Sequence, residues 1–257
     1  MNLIFYKYQG TGNDFVMVDN RTKTFPKENT NIISQICDRH FGIGADGIIL
    51  IENDTETDFR MIYFNADGSE TMCGNGGRCA VAFAEKLELI NTKTTFIAFD
   101  GLHHAEIAND IVSLKMIDVE EVIVSEKSIF ANTGTQHHIE MVDCLDNFPV
   151  VERGKKIRYS YPEPGSNVNF VEQINTNTFR VRTYEKGVEN ETLACGTGVT
   201  AVAIAMHKIN KTTSNFVNLP VEGGVLEVRF REDNGIYKDV WLKGPAKYVY
   251  EGSFEVL

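Results

Sequence analysis

The sequence lacks an apolar run of about 18–20 residues, the length that a helix needs to cross a bilayer. A membrane partner is therefore not expected. Positive charge is also scarce, because 25 Lys and Arg stand against 36 Asp and Glu and the formal net charge is −11. Such a balance argues against a basic face for nucleic acid. Residues 1–10 carry a lysine and a glutamine inside an apolar stretch and do not predict a signal peptide.

Cysteines are few, and their spacing does not indicate disulfides. The chain has 5, an odd number without a close pairing pattern, which is typical of a protein of the reducing cytoplasm. Three of them, Cys37, Cys79 and Cys144, are predicted to be small, buried apolar residues that fill space in the core. The histidines do not form a ligand-spaced set with cysteines, so no metal site is predicted.

Two cysteines open near-copies of one peptide. These are Cys73-Gly-Asn-Gly-Gly and Cys195-Gly-Thr-Gly-Val, and an alanine-rich apolar run follows each of them. The runs predict helices, so each thiol should lie just ahead of a helix N-terminus, where unpaired N–H groups and the helix dipole lower a thiol pKa. Two activated thiols indicate paired acid–base chemistry, with one sulfur on each side of a small molecule. A redox disulfide between the two sulfurs is the alternative at this point.

The order of elements around these peptides repeats. Several strands, a Cys-Gly loop, a helix and several more strands occur twice, about half the chain apart, and no Pro/Gly/Ser linker divides the sequence. This repetition predicts two α+β halves with pseudo-twofold symmetry. Apolar spacing predicts a further helix over residues 31–40, and residues 155–159 fit a short helix or a strand.

One glycine-rich segment resembles a dinucleotide-binding loop. Residues 42–47 match G-x-G-x-x-G, but the strand-like residues 48–51 follow, whereas a dinucleotide loop needs a helix there. The segment is therefore predicted to be a turn that enters a strand.

Several polar residues have both a catalytic and a structural interpretation. His137 fits a proton acceptor or an orienting group if it reaches a thiol. Glu185, at the end of a predicted strand, could serve the second thiol or be a solvated loop carboxylate. Four loop asparagines fit turn formation, and their amides equally suit a carboxylate and an ammonium group; they are Asn13, Asn65, Asn75 and Asn167.

Four blocks of the sequence closely resemble the signature blocks of the diaminopimelate epimerase family. They are Lys7-Tyr-Gln-Gly-Thr-Gly-Asn-Asp-Phe15, Asn65-Ala-Asp-Gly-Ser-Glu70, Met72-Cys-Gly-Asn-Gly-Gly-Arg-Cys79 and Glu191-Thr-Leu-Ala-Cys-Gly-Thr-Gly198. The blocks occur in the family's order, and the closing segment from Lys243 to Phe254 is also similar to the family's C-terminus. The resemblance therefore covers essentially the whole chain.

The resemblance implies a fold and a domain division. It implies two α+β domains, each a curved, mostly antiparallel sheet around a central helix, with the active site in the cleft between them. Residues 1–115 with about 245–257 would form the half that carries Cys73, and residues 116–244 the half that carries Cys195. A homodimer is implied as well.

The resemblance also implies an activity. It implies a cofactor-independent epimerase that interconverts LL- and meso-2,6-diaminopimelate in the lysine and cell-wall pathway. Cys73 and Cys195 would be the two bases, and His137 and Glu185 would assist them. The positions that would hold the substrate are Asn13, Asn65, Gly74, Asn75, Asn167, Glu185, Lys186, Gly196 and Thr197.

The chain departs from the family's pattern at a few positions. The Gly-Asn-Pro-His block is here Gly134-Thr-Gln-His137, which replaces an amide by the Thr135 hydroxyl, and Lys186 stands where the family has arginine. Gly47 stands where glutamine is common. These changes affect binding of the distal carboxylate and not the two-thiol chemistry. A proline or hydroxyproline racemase, a one-carboxylate isomerase and a thiol redox protein are the competing interpretations.

Overall fold

The structure is a computed structural model, and it describes residues 2–255. The elements of the first part are β1 Asn2–Gly10, β2 Asn13–Asp19, α1 Thr30–Cys37, β3 Gly47–Glu52, β4 Phe59–Asn65, β5 Glu70–Thr71, α2 Gly74–Lys86, β6 Lys93–Ala98, β7 Gly101–Ala108 and β8 Ile111–Lys115. Those of the rest are β9 Val122–Val124, β10 Ile129–Asn132, β11 Gln136–Met141, α3 Val150–Arg158, β12 Asn167–Gln173, β13 Phe179–Glu185, β14 Asn190–Thr192, α4 Gly196–Lys208, β15 Phe216–Val221, β16 Gly224–Asp233, β17 Ile236–Pro245 and β18 Lys247–Glu255.

The chain divides into two compact units. The first unit is Met1–Leu114 with Gly244–Leu257, and the second is Lys115–Lys243. Each unit combines mostly antiparallel strands with two helices, which confirms the predicted α+β class. No helix in residues 2–255 has the length and apolar character needed to cross a membrane.

In the first unit, a sheet lies between two helices. The strand order is β8-β7-β6-β4-β3-β2-β1-β18, and only the β2–β3 and β4–β6 pairs are parallel. Every residue of β3 is buried. Ile48 and Leu50 lie in one apolar cluster with Ile33 and Ile36 of α1, whereas Ile49 lies next to the start of α2. Helix α2 therefore begins over the centre of the sheet.

In the second unit, α4 is the central helix. Its residues from Val199 to Met206 are buried all round, as expected for a helix that is apolar on every side. They share one core with Val171 and Val181 of β12 and β13 on one side, and with Val217 and Val228 of β15 and β16 on another. The small side chains of the alanine-rich run let strands approach the helix on several sides.

Helix α3 covers the opposite face of β12. Val168 and Phe170 pack with Val150 of α3, whereas Val171 belongs to the α4 core. Because side chains alternate along a strand, the odd-numbered residues of β12 face α4. This alternation places Asn167 and Asn169 on the α4 side.

Several local predictions can be compared with the structure. The helix predicted over residues 31–40 is α1, but it ends at Cys37, because Asp38 has an extended backbone (φ −63°, ψ 126°). Residues 155–159 fall at the end of a helix, α3. The segment 42–47 is a turn that leads into β3, as predicted.

Cys37 and Cys79 are buried, as predicted, but the prediction that Cys144 is buried was wrong. It is exposed because it lies in the loop between β11 and α3, where no strand or helix carries it into a core.

Candidate active site

Cys73 and Cys195 occupy equivalent positions at the starts of α2 and α4. Each is the N-cap of a helix of 13 residues, with extended backbone angles of φ −133° and ψ 123° for Cys73 and φ −120° and ψ 109° for Cys195. The carbonyl of each cysteine accepts the first helical hydrogen bond, from Gly77 N at 2.8 Å and from Val199 N at 3.0 Å. The local prediction is therefore confirmed, because both thiols stand where the first N–H groups of a helix lack intrahelical acceptors.

In the first unit, Asn13 lies against the thiol of Cys73. The Cys73 thiol donates to Asn13 Oδ1 at 3.4 Å, and Asn75 Nδ2 donates to the same oxygen at 3.3 Å. Asn13 in turn donates through Nδ2 to Asp46 Oδ2. Three of the predicted site residues thus meet in one hydrogen-bonded group.

A charged network holds Asn13 from the other side. Asp46 accepts from Arg39 at 2.8 Å, and Arg39 also donates to Asp14 at 2.7 Å. Asp14 forms an ion pair with Lys7 at 2.7 Å. Burial alone would raise the pKa of Asp14, but hydrogen bonds from Arg39 and Lys7 outweigh it and lower that pKa to about 2.

The buried Arg78 lies behind the same group. Its Nη2 donates to Thr11 Oγ1 at 2.7 Å and to Asn75 Oδ1 at 3.0 Å, while Nε and Nη1 have no hydrogen-bond acceptor among residues 2–255. Burial lowers the pKa of Arg78, and the charges of Cys79 and Cys73 oppose that shift. The Arg78 guanidinium is therefore held close enough to Cys73 for the charges of the two groups to influence each other.

Asn65 is in the same unit but makes other contacts. Its Oδ1 accepts from the Tyr63 hydroxyl at 2.9 Å, and its Nδ2 donates to Ser69 Oγ at 3.0 Å. Gly47, at the start of β3, has no room for a side chain, because a β-carbon there would lie 2.4 Å from the Phe64 carbonyl oxygen.

In the second unit, a short chain of contacts leads from Cys195 to His137. The sulfur of Cys195 lies 3.6 Å from Thr197 Oγ1, and His137 Nε2 lies 3.0 Å from the same oxygen. His137 is completely buried. Burial is the larger cause, and the charge of Lys186 the smaller one, of a His137 pKa lowered to about 3. The ring is therefore neutral around neutral pH.

The other predicted residues of this unit lie on neighbouring strands. Asn167 Nδ2 donates to the Gln136 carbonyl at 3.2 Å, and Asn167 Oδ1 accepts from the backbone N–H of Lys186 at 2.8 Å. Glu185 accepts from the Thr192 hydroxyl at 2.9 Å. Burial raises the pKa of Glu185, and the hydrogen bond from Thr192 only partly offsets it.

Sequence reasoning missed four residues; three contact the predicted ones, and the fourth, Thr11, accepts a hydrogen bond from one of these three, Arg78. In the first unit the missed residues are Thr11, Asp46 and Arg78. In the second it is Asn169, whose Nδ2 donates to His137 Nδ1 at 3.1 Å. A partial signal existed for Asn169, because it lies in the strand predicted over residues 168–171. The observed strand β12 begins one residue earlier, at Asn167, and this places Asn167 and Asn169 on the same face.

Comparison with protein families gives one match over most of the chain. The family model described as Diaminopimelate epimerase matches residues 5–115 and 129–249. A relative from Flavobacterium psychrophilum named Diaminopimelate epimerase is 59% identical over 250 residues, covering 96% of this chain and 98% of the relative. Another of that name from Aquifex aeolicus is 39% identical, covering 98% of this chain and 99% of the relative.

Solved structures resemble the chain in fold. A phenazine biosynthesis protein of the PhzF family from Bacillus anthracis has a TM-score of 0.80 at 15% identity, and the match covers 100% of both chains. A hydroxyproline epimerase from Agrobacterium vitis has a TM-score of 0.69 at 14% identity, covering 98% of this chain and 91% of the other. At these identities the likeness concerns the fold alone.

Proposed function

The chain belongs to the diaminopimelate epimerase family, and we propose that it interconverts LL- and meso-2,6-diaminopimelate with two cysteine thiols and no cofactor. Cys73 and Cys195 are the two bases. The observation that carries this proposal is the matched position of the two cysteines, each at the N-cap of a buried helix with the same extended backbone.

The difficult step is removal of the α-hydrogen. An α C–H group of an amino acid is a very weak acid, and each tenfold gain in rate needs about 1.4 kcal/mol of transition-state stabilisation. Without a cofactor to take up the charge, fixed dipoles of the protein must stabilise the carbanion. Backbone N–H groups in the first turns of α2 and α4, at Gly74, Asn75, Gly196 and Thr197, are suited to an α-carboxylate because helix N-termini favour anions.

Two thiols complete the proton transfer. The thiolate of one cysteine takes the α-hydrogen as a proton, and the electron pair of the broken C–H bond delocalises into the carboxylate. The thiol of the other cysteine then delivers its proton to the opposite face, which inverts the centre and leaves the first sulfur protonated. The roles of Cys73 and Cys195 exchange for the reverse reaction.

Polar residues around the thiols hold and assist the substrate. Asn13, Asn65, Asn167 and Lys186 bind its polar groups, and His137 and Glu185 support the thiols. Burial raises the pKa of Glu185, so its carboxyl group holds a proton more readily than an exposed one. Thr135 and Lys186 bind the distal carboxylate of the substrate with fewer paired hydrogen bonds than an asparagine and an arginine would. A lysine ammonium is a point charge, whereas an arginine donates two parallel hydrogen bonds to a carboxylate.

Deuterium incorporation tests the reaction. In D2O without added cofactor, LL-diaminopimelate should yield meso product that carries solvent deuterium at one α-carbon. Unreacted LL substrate recovered at early times should keep its α-hydrogen. One base removes this hydrogen, whereas a second base, on the opposite face, delivers the solvent-derived deuteron and forms the product. Deuterium appearing in the substrate as fast as in the product would overturn the two-base mechanism. Turnover of proline or hydroxyproline in its place would indicate the alternative racemase, and no exchange at all would indicate a thiol redox protein.

Cysteine variants test the assignment of the bases. Cys73→Ser and Cys195→Ser should each nearly abolish epimerisation, because a serine hydroxyl is a far weaker acid than a thiol. Cys144→Ser is the matched control, since Cys144 is exposed in a loop, and it should keep full activity. Full activity in either of the first two variants would contradict the assignment.

We also propose that the protein acts in the cytoplasm as a homodimer, in lysine and cell-wall synthesis. The absence of disulfides among the described cysteines supports a reducing compartment. Analytical ultracentrifugation at micromolar concentration tests the dimer, and growth of a diaminopimelate auxotroph carrying this gene tests the pathway.

A further inference from the structure

The amide of Asn169 has its orientation fixed by three contacts. Its Oδ1 accepts from the Thr183 hydroxyl at 3.0 Å, and its Nδ2 donates both to the His138 carbonyl and to His137 Nδ1, each at 3.1 Å. A backbone carbonyl can only accept. Turning the amide over would set its oxygen against that carbonyl, so the Nδ2 group must face the ring of His137.

This orientation selects the tautomer of His137. Because Asn169 donates to Nδ1, that ring nitrogen must be the acceptor, and a neutral imidazole then carries its proton on Nε2. The ring is completely buried and neutral. Its Nε2–H therefore donates to Thr197 Oγ1, 3.0 Å away.

The tautomer in turn directs the hydroxyl of Thr197. The hydroxyl oxygen accepts from His137, so its own proton is available to another acceptor, and Cys195 Sγ lies 3.6 Å away. We propose that Asn169 is a positioning residue for the reaction at Cys195, because it holds His137 as the Nε2–H tautomer and so makes Thr197 a hydrogen-bond donor to the Cys195 thiolate. This inference rests on the proposed function, in which Cys195 is one of the two bases.

The arrangement serves both states of the sulfur. When Cys195 is a thiolate, the Thr197 hydroxyl donates to it. When Cys195 is a thiol, its S–H donates to the remaining lone pair of the Thr197 oxygen, and only the hydroxyl hydrogen has to rotate. His137 therefore orients the Thr197 hydroxyl and does not take up the substrate proton, which agrees with a His137 pKa of about 3.

Nitrogen NMR of the histidine ring tests the tautomer directly. In protein labelled with 15N-histidine, the signal of His137 is the one that disappears in His137→Gln. It should show a neutral ring with the proton on Nε2 throughout the pH range in which the protein is folded. A proton on Nδ1, or titration near the ordinary imidazole pKa, would overturn the inference in the wild-type protein.

An isosteric variant tests whether Asn169 makes the selection. In Asn169→Leu the ring loses its donor to Nδ1, so the nitrogen signals should show a mixture of the two neutral tautomers. A ring that stays protonated on Nε2 alone in this variant would show that Asn169 does not set the tautomer.

Thiol reactivity tests the effect on Cys195. The pH dependence of Cys195 alkylation by iodoacetamide, read from its own peptide by mass spectrometry, gives the midpoint of thiolate formation. Thr197→Val should raise this midpoint by about one pH unit, because the thiolate loses its hydroxyl donor. Asn169→Leu should raise it by a smaller amount, because the ring then populates both tautomers.

Thr200→Val is the matched control. Thr200 lies on the same helix and donates to the Gly196 carbonyl at 2.9 Å rather than to the thiol. Its midpoint should equal that of the wild type. An unchanged midpoint in Thr197→Val or in Asn169→Leu would overturn the proposal. Neither the histidine NMR nor the alkylation of Cys195 needs substrate. Epimerase activity retained in Cys195→Ser would therefore contradict the proposed two-thiol function and would leave the role of Asn169 unaffected.

Discussion

The guanidinium of Arg78 donates a 2.7 Å hydrogen bond to the Thr11 hydroxyl and so ties helix α2 to the turn between β1 and β2. The same nitrogen donates to Asn75 Oδ1 at 3.0 Å. Asn75 then donates to Asn13, the residue that accepts from the Cys73 thiol. One buried cation thus supports the hydrogen-bonded group around this thiol.

Replacing Arg78 by an apolar residue should therefore impair catalysis. Arg78→Met fills much of the same volume but donates no hydrogen bond, so Asn75 and Thr11 lose their common donor. We expect kcat/KM for diaminopimelate to fall by about 100-fold, the size of effect that a shift of about 1 Å in a catalytic group produces. Steady-state kinetics measures this, with circular dichroism as the check that the variant is folded.

An exposed arginine provides the comparison for that variant. Arg229 on β16 is largely exposed and contacts Glu227. Arg229→Met should leave kcat/KM within about twofold of the wild type, because exposed ion pairs contribute about 0–1 kcal/mol to stability. Equal kinetics for the two methionine variants would mean that Arg78 does not position the group around Cys73.

Asp14 should make the folded protein sensitive to acid. Its pKa in the folded chain is about 2, against an ordinary value of 3.8, because the hydrogen bonds and charges of Arg39 and Lys7 outweigh its burial. A lowered pKa means that the folded state prefers the ionised form. The contribution of Asp14 to the free energy of unfolding is therefore complete above about pH 4 and is lost as the pH falls towards about 2. The shift corresponds to at most about 2 kcal/mol.

Denaturant unfolding of Asp14→Asn tests this dependence. The variant should be less stable than the wild type near neutral pH, also because Lys7 is left buried without its counter-ion. The difference should narrow as the pH is lowered from about 4 to about 2, since Asp14 becomes neutral in the wild type. In an Arg39→Gln background, the pH range over which this difference narrows should shift to higher pH. If the stability difference between the wild type and Asp14→Asn stayed constant from about pH 4 to about pH 2, the lowered pKa of Asp14 would be contradicted.

The starts of α2 and α4 could be predicted because their signals are local. In each case a glycine follows the cysteine and an alanine-rich run follows the glycine, so neighbouring residues decide where the helix begins. The same is true of the turn over residues 42–47, where the strand that follows excludes a dinucleotide loop. Family resemblance then indicated acid–base roles for Cys73 and Cys195, which local patterns alone left open between acid–base and redox chemistry.

The support of the thiols could not be predicted, because it comes from residues distant in sequence. Arg78 and Thr11 are separated by 67 positions, and Asn169 and His137 by 32. Their contacts depend on which strands pair and which face of a helix is buried. Arg78 also looks in the sequence like an ordinary solvated cation, and only its complete burial marks it as part of the site.

Close packing between α4 and β12 should make Gly198 intolerant of any side chain. A β-carbon at this position would lie 2.5 Å from Asn169 Oδ1 and 3.2 Å from Cys195 Sγ. Gly198→Ala should lower the free energy of unfolding by about 1–3 kcal/mol, the usual cost of overpacking a core. It should also raise the midpoint of Cys195 alkylation, because the displaced amide no longer holds His137.

Gly74→Ala is the comparison for this variant, at the first residue of the other helix. Apart from its chain neighbours and the backbone of its own helix, no atom of the described residues would lie within 4 Å of a β-carbon at Gly74, and alanine favours a helix over glycine by about 1 kcal/mol. This variant should be as stable as the wild type or slightly more stable in thermal and denaturant unfolding. If the two alanine variants were equally stable, Asn169 could move away from α4 without cost, and the fixed orientation of its amide would have to be abandoned.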